Sequence, residues 1–332
     1  MGGLRIGSAV WKSDWRKNPD IFRQGIPFPE PITYRPSMII MGPDDPRLVS
    51  SPETFDALFT LAATQTDTEQ GSTQCQANAL SDVQEAQHLH ALAGVIAQEQ
   101  THFFVGSLIV KSLKRLIERQ DIPEEKKARL LDKADAVLYG AIGDHILTQF
   151  NMKIKIPELA RLVYQTLKLV LSARRAAILT TLWFAVFCCF VDRVGKWQLA
   201  NLCSSTFLPL RAFALQFRTD ENYHISTGCQ IIEHYLTHGS PEEIRWVRDM
   251  LQILLDFLLP HAYAMFGRPT TTPTEALSLE LGFKSLPNNL SREFYYYGEV
   301  RPLVTGRWGL RAVHPNDCVE GVYHDIDRSK LN

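Results

Sequence analysis

The chain has almost no charge of one sign in excess. Its 332 residues carry 35 Lys and Arg against 36 Asp and Glu, a formal balance of -1. Without a positive field, neither the phosphates of nucleic acid nor an anionic membrane is an expected partner. Cysteine pairs at metal-binding spacing are also missing: Cys75, Cys188, Cys189, Cys203, Cys229 and Cys318 include no C-x-x-C, which excludes the common structural zinc arrangements. Four of the six lie in apolar helical stretches, where a free thiol behaves as a small hydrophobe, so the expectation is a reducing, cytoplasmic setting with no disulfide framework. There is no glycine-rich phosphate loop after a strand, no Gly-x-Ser-x-Gly elbow and no helix-borne His-Glu-x-x-His. Strand signals are sparse and no repeat of solenoid length is present. The opening segment, MGGLRIGSAVWKSDWRK, lacks the apolar run of a signal peptide. The run 176–191 is uncharged but stops short of a membrane span at Asp192. A helix apolar on all sides reads instead as the buried central element of a bundle.

What the chain does have is 45% hydrophobic residues beside 21% charged ones, enough for one large domain with a substantial core. Residues 1–50 are rich in Pro and Trp and lack periodicity, predicting an extended arm that packs on the body through Trp11, Trp15 and Phe28. Ser51-Pro52-Glu53 is a helix opening, with a capping hydroxyl, proline at the first helical position and an early acid. The pattern predicts helices over about 52–75, 81–119, 123–150, 157–202, 206–239 and 240–267, with Gly239 and Gly267 as natural stops. Residues 269–332 read as one short helix followed by irregular cover. The fold class is all-α: a helical bundle over 51–268, with the N-terminal arm and the C-terminal cover as appendages of one domain.

Two segments place an ionisable pair inside an apolar helical stripe, around Glu99 and His102 and around Glu221 and His224. A carboxylate and an imidazole three residues apart leave a helix on the same face and can reach one cation in a bundle core. The faces run Val95, Glu99, His102, Gly106 and Phe213, Phe217, Glu221, His224, Gly228; the glycines one turn beyond each histidine are expected to leave room for an ion or substrate. A single Glu-x-x-His is a weak signal, and the chain has a third copy, Glu85 to His88, expected to be a solvated surface pair. The matching offsets strengthen the first two. Glu69 precedes Glu99 by 30 residues and Asp192 precedes Glu221 by 29, so each half supplies one carboxylate helix and one Glu-x-x-His helix. Taken singly, His102 would be a core histidine, Glu69 an exposed helix acid, and Asp192 a helix-end partner of Arg193. Buried acids are costly without a counter-charge, however, and a shared cation relieves that cost.

At these residues the sequence resembles the para-aminobenzoate N-oxygenase-like di-iron oxygenases, over roughly Trp11 to His261. The likeness comprises a Trp/Arg and Pro-Phe-Pro arm, then carboxylate, Glu-x-x-His, carboxylate and Asp-Glu-x-x-His helices in that order, with Asp220 to His224 the most specific piece. The resemblance implies a ferritin-like bundle in which Glu69, Glu99, His102, Asp192, Glu221 and His224 ligate two ions and Asp220 orients a ligand histidine. It also sets three departures: Asp192 stands where the family has Glu, Gln98 where it often has Asp, and Phe217 where it carries an additional histidine. His261 is a candidate replacement for that histidine, although a packed histidine after Pro260 is the simpler reading. Phe294 to Tyr297 with Trp308 form an aromatic cluster read as core or cover.

The function implied is activation of dioxygen by two iron ions, with manganese as an alternative metal, and oxidation of a small substrate, an amine nitrogen first, in secondary metabolism. The electron donor would be a partner protein or a small reductant, since no flavin or nicotinamide motif is present. Hydroxylation, desaturation or cleavage at carbon is the alternative for the same ligand set. A metal-depleted bundle that binds a ligand is the alternative outside enzymology, and a homodimer is left open.

Overall fold

In the computed structural model, residues 41–49, 51–139, 171–267 and 272–315 are described, with positions 166 and 317. Most of the expected N-terminal arm, with Trp11, Trp15 and Phe28, lies outside them, as do the end of the 123–150 helix, most of the start of the 157–202 helix and the last residues of the cover. Every described element is helical, and β pairing among the described residues is limited to a single bridge between Met41 and Phe207. The chain is therefore all-α.

The helices are α1 (Pro52–Leu80), α2 (Ala86–Arg119), α3 (Glu124–Tyr139), α4 (Ala173–Val186), α5 (Asp192–Leu202), α6 (Leu208–Phe217), α7 (Asp220–Thr237), α8 (Pro241–Ala264), α9 (Pro273–Glu280) and α10 (Asn288–Tyr295). Their starts follow local chemistry. Ser51 Oγ accepts from Thr54 N at 3.1 Å, Ser240 Oγ from Glu243 N at 3.2 Å and Thr272 Oγ1 from Glu275 N at 3.2 Å, each satisfying an amide the helix cannot. Gly239, at φ 135°, makes the turn between α7 and α8 that a side chain would strain.

Several boundaries differ from those the sequence predicts. The first helix continues to Leu80, and the second begins at Ala86 because Ser81 and Asp82 form the turn between them. The helix expected over 206–239 is two helices, broken at Arg218 and Thr219. Between α4 and α5 the backbone makes a π-helical turn, Phe187–Val191, of the kind often found beside functional groups. The C-terminal segment is more helical than expected: α10 runs into π-helical turns at Tyr296–Val300 and Pro302–Arg307. Nor is it merely a cover, because Phe294, Tyr295, Val300 and Val304 are buried in the core with Tyr263 and Phe266 of the α8 end.

The chain before α1 is anchored where Met41 N donates to the Thr206 carbonyl (2.7 Å) and Leu208 N to the Met41 carbonyl (2.9 Å). α1 packs along α2, while α7 packs against α4, the π turn, α5 and α2. The apolar interior falls into two clusters, one around α4, α7, α8 and the C-terminal segment, the other around α1, α3 and α6. α2 and α5 contribute to both: Leu92 and Val95 belong to the first and Ile109 and Val110 to the second, with Glu99 and His102 between them in sequence. The stretch 173–202 is long and apolar enough to cross a membrane, but nearly all of its apolar window is buried inside the protein.

Candidate metal centre

Where α1, α2, α5 and α7 converge, the six predicted ligands meet. Glu69, Glu99, His102 and Glu221 form one group whose donor atoms all lie within 4.8 Å of one another, and Glu99, Asp192 and His224 form a second. Glu99 belongs to both. Glu221 also spans them: its Oε1 is 4.0 Å from His102 Nδ1 and its Oε2 3.6 Å from His224 Nδ1. Glu69 Oε2 lies 3.4 Å from His102 Nδ1, and Asp192 Oδ2 lies 3.5 Å from His224 Nδ1. No member is more than 5% exposed.

Both imidazoles turn Nδ1 inward and Nε2 outward, and their outer partners are related by a local symmetry. His102 Nε2 meets Asp220 Oδ2 at 3.2 Å, and His224 Nε2 meets Gln98 Oε1 at 3.0 Å. Asp220 directly precedes Glu221 and Gln98 directly precedes Glu99, so the residue before each motif's glutamate holds the other motif's histidine. An acceptor on Nε2 keeps the proton there and leaves the Nδ1 lone pair for a cation. Asp220 was expected in this role; Gln98, noted in the sequence only as a departure, was not. Its signal was available, since it stands four residues before His102 as Asp220 stands four before His224.

The electrostatics are those of a site lacking positive charge. Burial pushes the Glu99 carboxyl up to about 8, and the Glu69 charge adds to the effect. Burial raises Asp192 well above its ordinary range, with Glu99 next in effect, and raises Glu221. Burial also acts on Glu69, but His102 outweighs it and leaves that carboxyl below its usual value. Burial would lower both histidines. Instead Glu69 lifts His102 to about 9, and Glu221 and Glu99 lift His224 well above the imidazole range.

A metal fits this constellation on two observations. Four carboxylates and two neutral imidazoles carry a charge that two divalent cations cancel. In addition, Glu99 Oε2, Asp192 Oδ2, Glu221 Oε2 and His224 Nδ1 are buried without a hydrogen bond, although His224 Nδ1 is only 3.0 Å from Glu99 Oε1. Such atoms are close but not aligned with each other. Donors that converge on a common point have this geometry, whereas hydrogen-bond partners point at one another.

The neighbours refine the expectations. Phe217 is buried with its ring centroid 4.4 Å from that of His102, so this position presents an apolar wall to the cluster. His261 does not supply a further histidine there: His261 Nδ1 lies 2.7 Å from the Phe257 carbonyl and the ring packs on Phe257, outside both ligand groups. Asp192 does not pair with Arg193, which donates to Glu299. Gly106 and Gly228 leave no room for an ion or substrate. A Cβ on Gly106 would lie 2.6 Å from Thr66 Oγ1, and one on Gly228 2.4 Å from the Ala185 carbonyl; these glycines let α1 approach α2 and α4 approach α7. The glycine that faces the centre is Gly195, whose Cβ would lie 3.2 Å from Glu221 Oε1. Gln65, which donates to Glu69 Oε1, was also missed, one turn before its partner on α1. The Glu85 and His88 pair is not simply solvated, since His88 is buried. Set against models of known protein families and against curated proteins, the chain matches none.

Proposed function

We propose that the chain is a non-heme di-iron monooxygenase with a ferritin-like bundle, oxidising a small organic substrate and, first among candidates, an amine nitrogen. The observation that carries this reading is the convergence of four buried carboxylates and two inward-facing imidazoles from four helices, a ligand set described for di-iron carboxylate bundles. Glu69 and His102 would hold one ion, Asp192 and His224 the other, with Glu99 and Glu221 shared. Hard carboxylates with imidazoles suit iron or manganese. Two bound iron ions would supply the electrons and open coordination that dioxygen needs.

The rest is the work of this chain's side chains. Asp220 and Gln98 fix the tautomers of His102 and His224. The Asp220 side chain is about a third exposed while His102 is fully enclosed, so Asp220 is a relay by which a proton on His102 Nε2 exchanges with solvent. Phe217 closes the His102 side with an apolar ring, excluding water and strengthening the fields inside. Asp192, one methylene shorter than glutamate, reaches His224 from a helix end set by the preceding π turn. Electrons for turnover come from an external donor, a partner protein or small reductant, and a cytoplasmic setting accords with the free thiols Cys188, Cys189, Cys203 and Cys229.

The test is anaerobic loading of the purified chain with ferrous iron, followed by isotopically labelled dioxygen, a reductant and a panel of aryl and alkyl amines. The expected result is label in an N-oxygenated product from wild type and none from Glu221→Ala. Label at carbon would move the reading to hydroxylation. Failure to consume dioxygen with both ions bound would end it.

A further inference from the structure

Beside the candidate metal centre, the fold brings two thiols together. Cys189 lies in the π turn Phe187–Val191 and Cys229 on α7. Both are free, and their sulfurs are 3.2 Å apart. The approach is built into the backbone. A Cβ on Gly228 would lie 2.8 Å from Cys189 N and 3.1 Å from Cys189 Cβ, so α7 already rests on the turn where the two cysteines meet. A disulfide holds its sulfurs about 2.0 Å apart, which leaves about 1.2 Å to close from the present 3.2 Å. With the backbones in contact, that distance falls to the side chains and requires no displacement of a helix. The neighbouring thiols are turned elsewhere, Cys188 to Asp192 and Cys203 to Arg218.

A cation stands over the pair. Arg193 Nη2 lies 3.6 Å from Cys229 Sγ and 3.8 Å from Cys189 Sγ. Its Nε donates to the Cys189 carbonyl at 2.8 Å, and Glu299 accepts from its Nη1, so the guanidinium is fixed beside the sulfurs. A positive charge there favours the thiolate, which is the nucleophilic form. The two sulfurs differ in access and in acidity. Cys189 is fully enclosed, whereas Cys229 is partly exposed. The Cys189 thiol holds Cys229 below the ordinary thiol range, and Arg193 acts in the same direction against burial. Burial raises Cys189. Cys229 is therefore the sulfur that an oxidant reaches and that ionises first, with Cys189 at hand as its partner.

We propose that Cys229 and Cys189 form a peroxide-reactive dithiol, a redox modification site that closes reversibly to a disulfide. The Cys229 thiolate attacks one oxygen of hydrogen peroxide and breaks the O–O bond. Hydroxide leaves and takes up the proton that the thiol released, giving water, while Cys229 becomes a sulfenic acid. The Cys189 sulfur then attacks the Cys229 sulfur, the S–O bond breaks, and the departing hydroxide leaves as a second water with the Cys189 proton. In sum, two thiols and one hydrogen peroxide give one disulfide and two waters, with two electrons passing from sulfur to oxygen. A small thiol reductant reverses the closure by exchange. The cross-link ties the turn that leads into Asp192 to the helix that carries His224. It forms whether or not those residues hold a metal ion.

The test exposes the folded, reduced full chain to hydrogen peroxide, blocks remaining thiols by alkylation, and reads tryptic peptides of the single-chain band from a non-reducing gel by mass spectrometry. Wild type is compared with Cys188→Ser, Cys189→Ser and Cys229→Ser. The expected result is a disulfide between peptides 176–193 and 219–245 in wild type, removed by dithiothreitol, retained in Cys188→Ser and lost in the other two variants. In Cys189→Ser the Cys229 sulfenic acid should accumulate and be trapped by dimedone. The wild-type measurement stands by itself if a variant fails to fold. Wild type in which both peptides stay alkylated, or pass to higher oxides with no cross-link between them, would overturn the proposal. So would a cross-link that persists in Cys189→Ser, because it would run through Cys188.

Discussion

Metal binding to the principal centre should be steeply pH-dependent, because the ions must displace protons. Glu99 is held at about 8 by burial, so at pH 7 only about a tenth of it is ionised. His102 is raised to about 9 by its carboxylate neighbours against the opposing effect of burial, so only about one part in a hundred is neutral. Both must lose a proton to ligate, and together they weaken apparent affinity at pH 7 by about three orders of magnitude relative to the fully deprotonated site. Most of that loss should be recovered by pH 9. The raised values of Asp192 and His224 act in the same direction. The metal-free protein should show the opposite trend. Both groups hold protons more tightly in the folded chain than the free side chains do at their ordinary values of 4.5 and 6.5. Their favourable contribution is therefore complete below those values and is lost as pH rises through about 8 and about 9. The assay is anaerobic competition with a chelator of known affinity from pH 6.5 to 9, beside thermal melts with and without metal. Binding that is flat with pH, or stronger in acid, would refute the proton-displacement reasoning.

Two structural predictions follow from contacts outside the ligands. Glu299→Ala removes the carboxylate that accepts from Arg193 Nη1 and from Trp197 Nε1 at 3.1 Å, leaving a buried guanidinium uncompensated; the expected loss is about 3–5 kcal/mol, read by denaturant unfolding, and a loss below about 1 kcal/mol would contradict it. Gly228→Ala places a methyl 2.4 Å from the Ala185 carbonyl and 2.8 Å from Cys189 N, backbone atoms that cannot swing aside; destabilisation of about 1–3 kcal/mol is expected, and an unchanged melting temperature would mean that α4 and α7 part freely.

The candidate site was largely legible in the sequence because its six side chains obey local rules. Glu99 with His102 and Glu221 with His224 share helix faces, and the offsets to Glu69 and Asp192 pointed to one carboxylate helix for each motif. Where the reading failed, the determinants were not local. Nothing in Arg218-Thr219 announces a helix break, since neither residue is Gly or Pro and both flanks continue the helical pattern. The π turn at Phe187–Val191 lies in an unbroken apolar run that any helical register would bury. Gly106 and Gly228 could have faced a cavity or a neighbouring helix, and only their distances to Thr66 and Ala185 decide between them. Glu299, the partner of Arg193, lies 106 residues away along the chain, and His234, whose ring packs edge-on against His88, lies 146 residues from it, both beyond any motif window. The C-terminal segment looked irregular because its many Pro, Gly and Asn residues separate short helices, whose aromatic side chains reach the core.

The most direct measurement is anomalous diffraction from crystals loaded with manganese or iron. The account predicts two peaks about 3.5–4 Å apart, one beside Glu69 and His102, the other beside Asp192 and His224, with Glu99 and Glu221 reaching both. A single peak at this centre, or metal only at the surface while these six side chains stay enclosed, would contradict it.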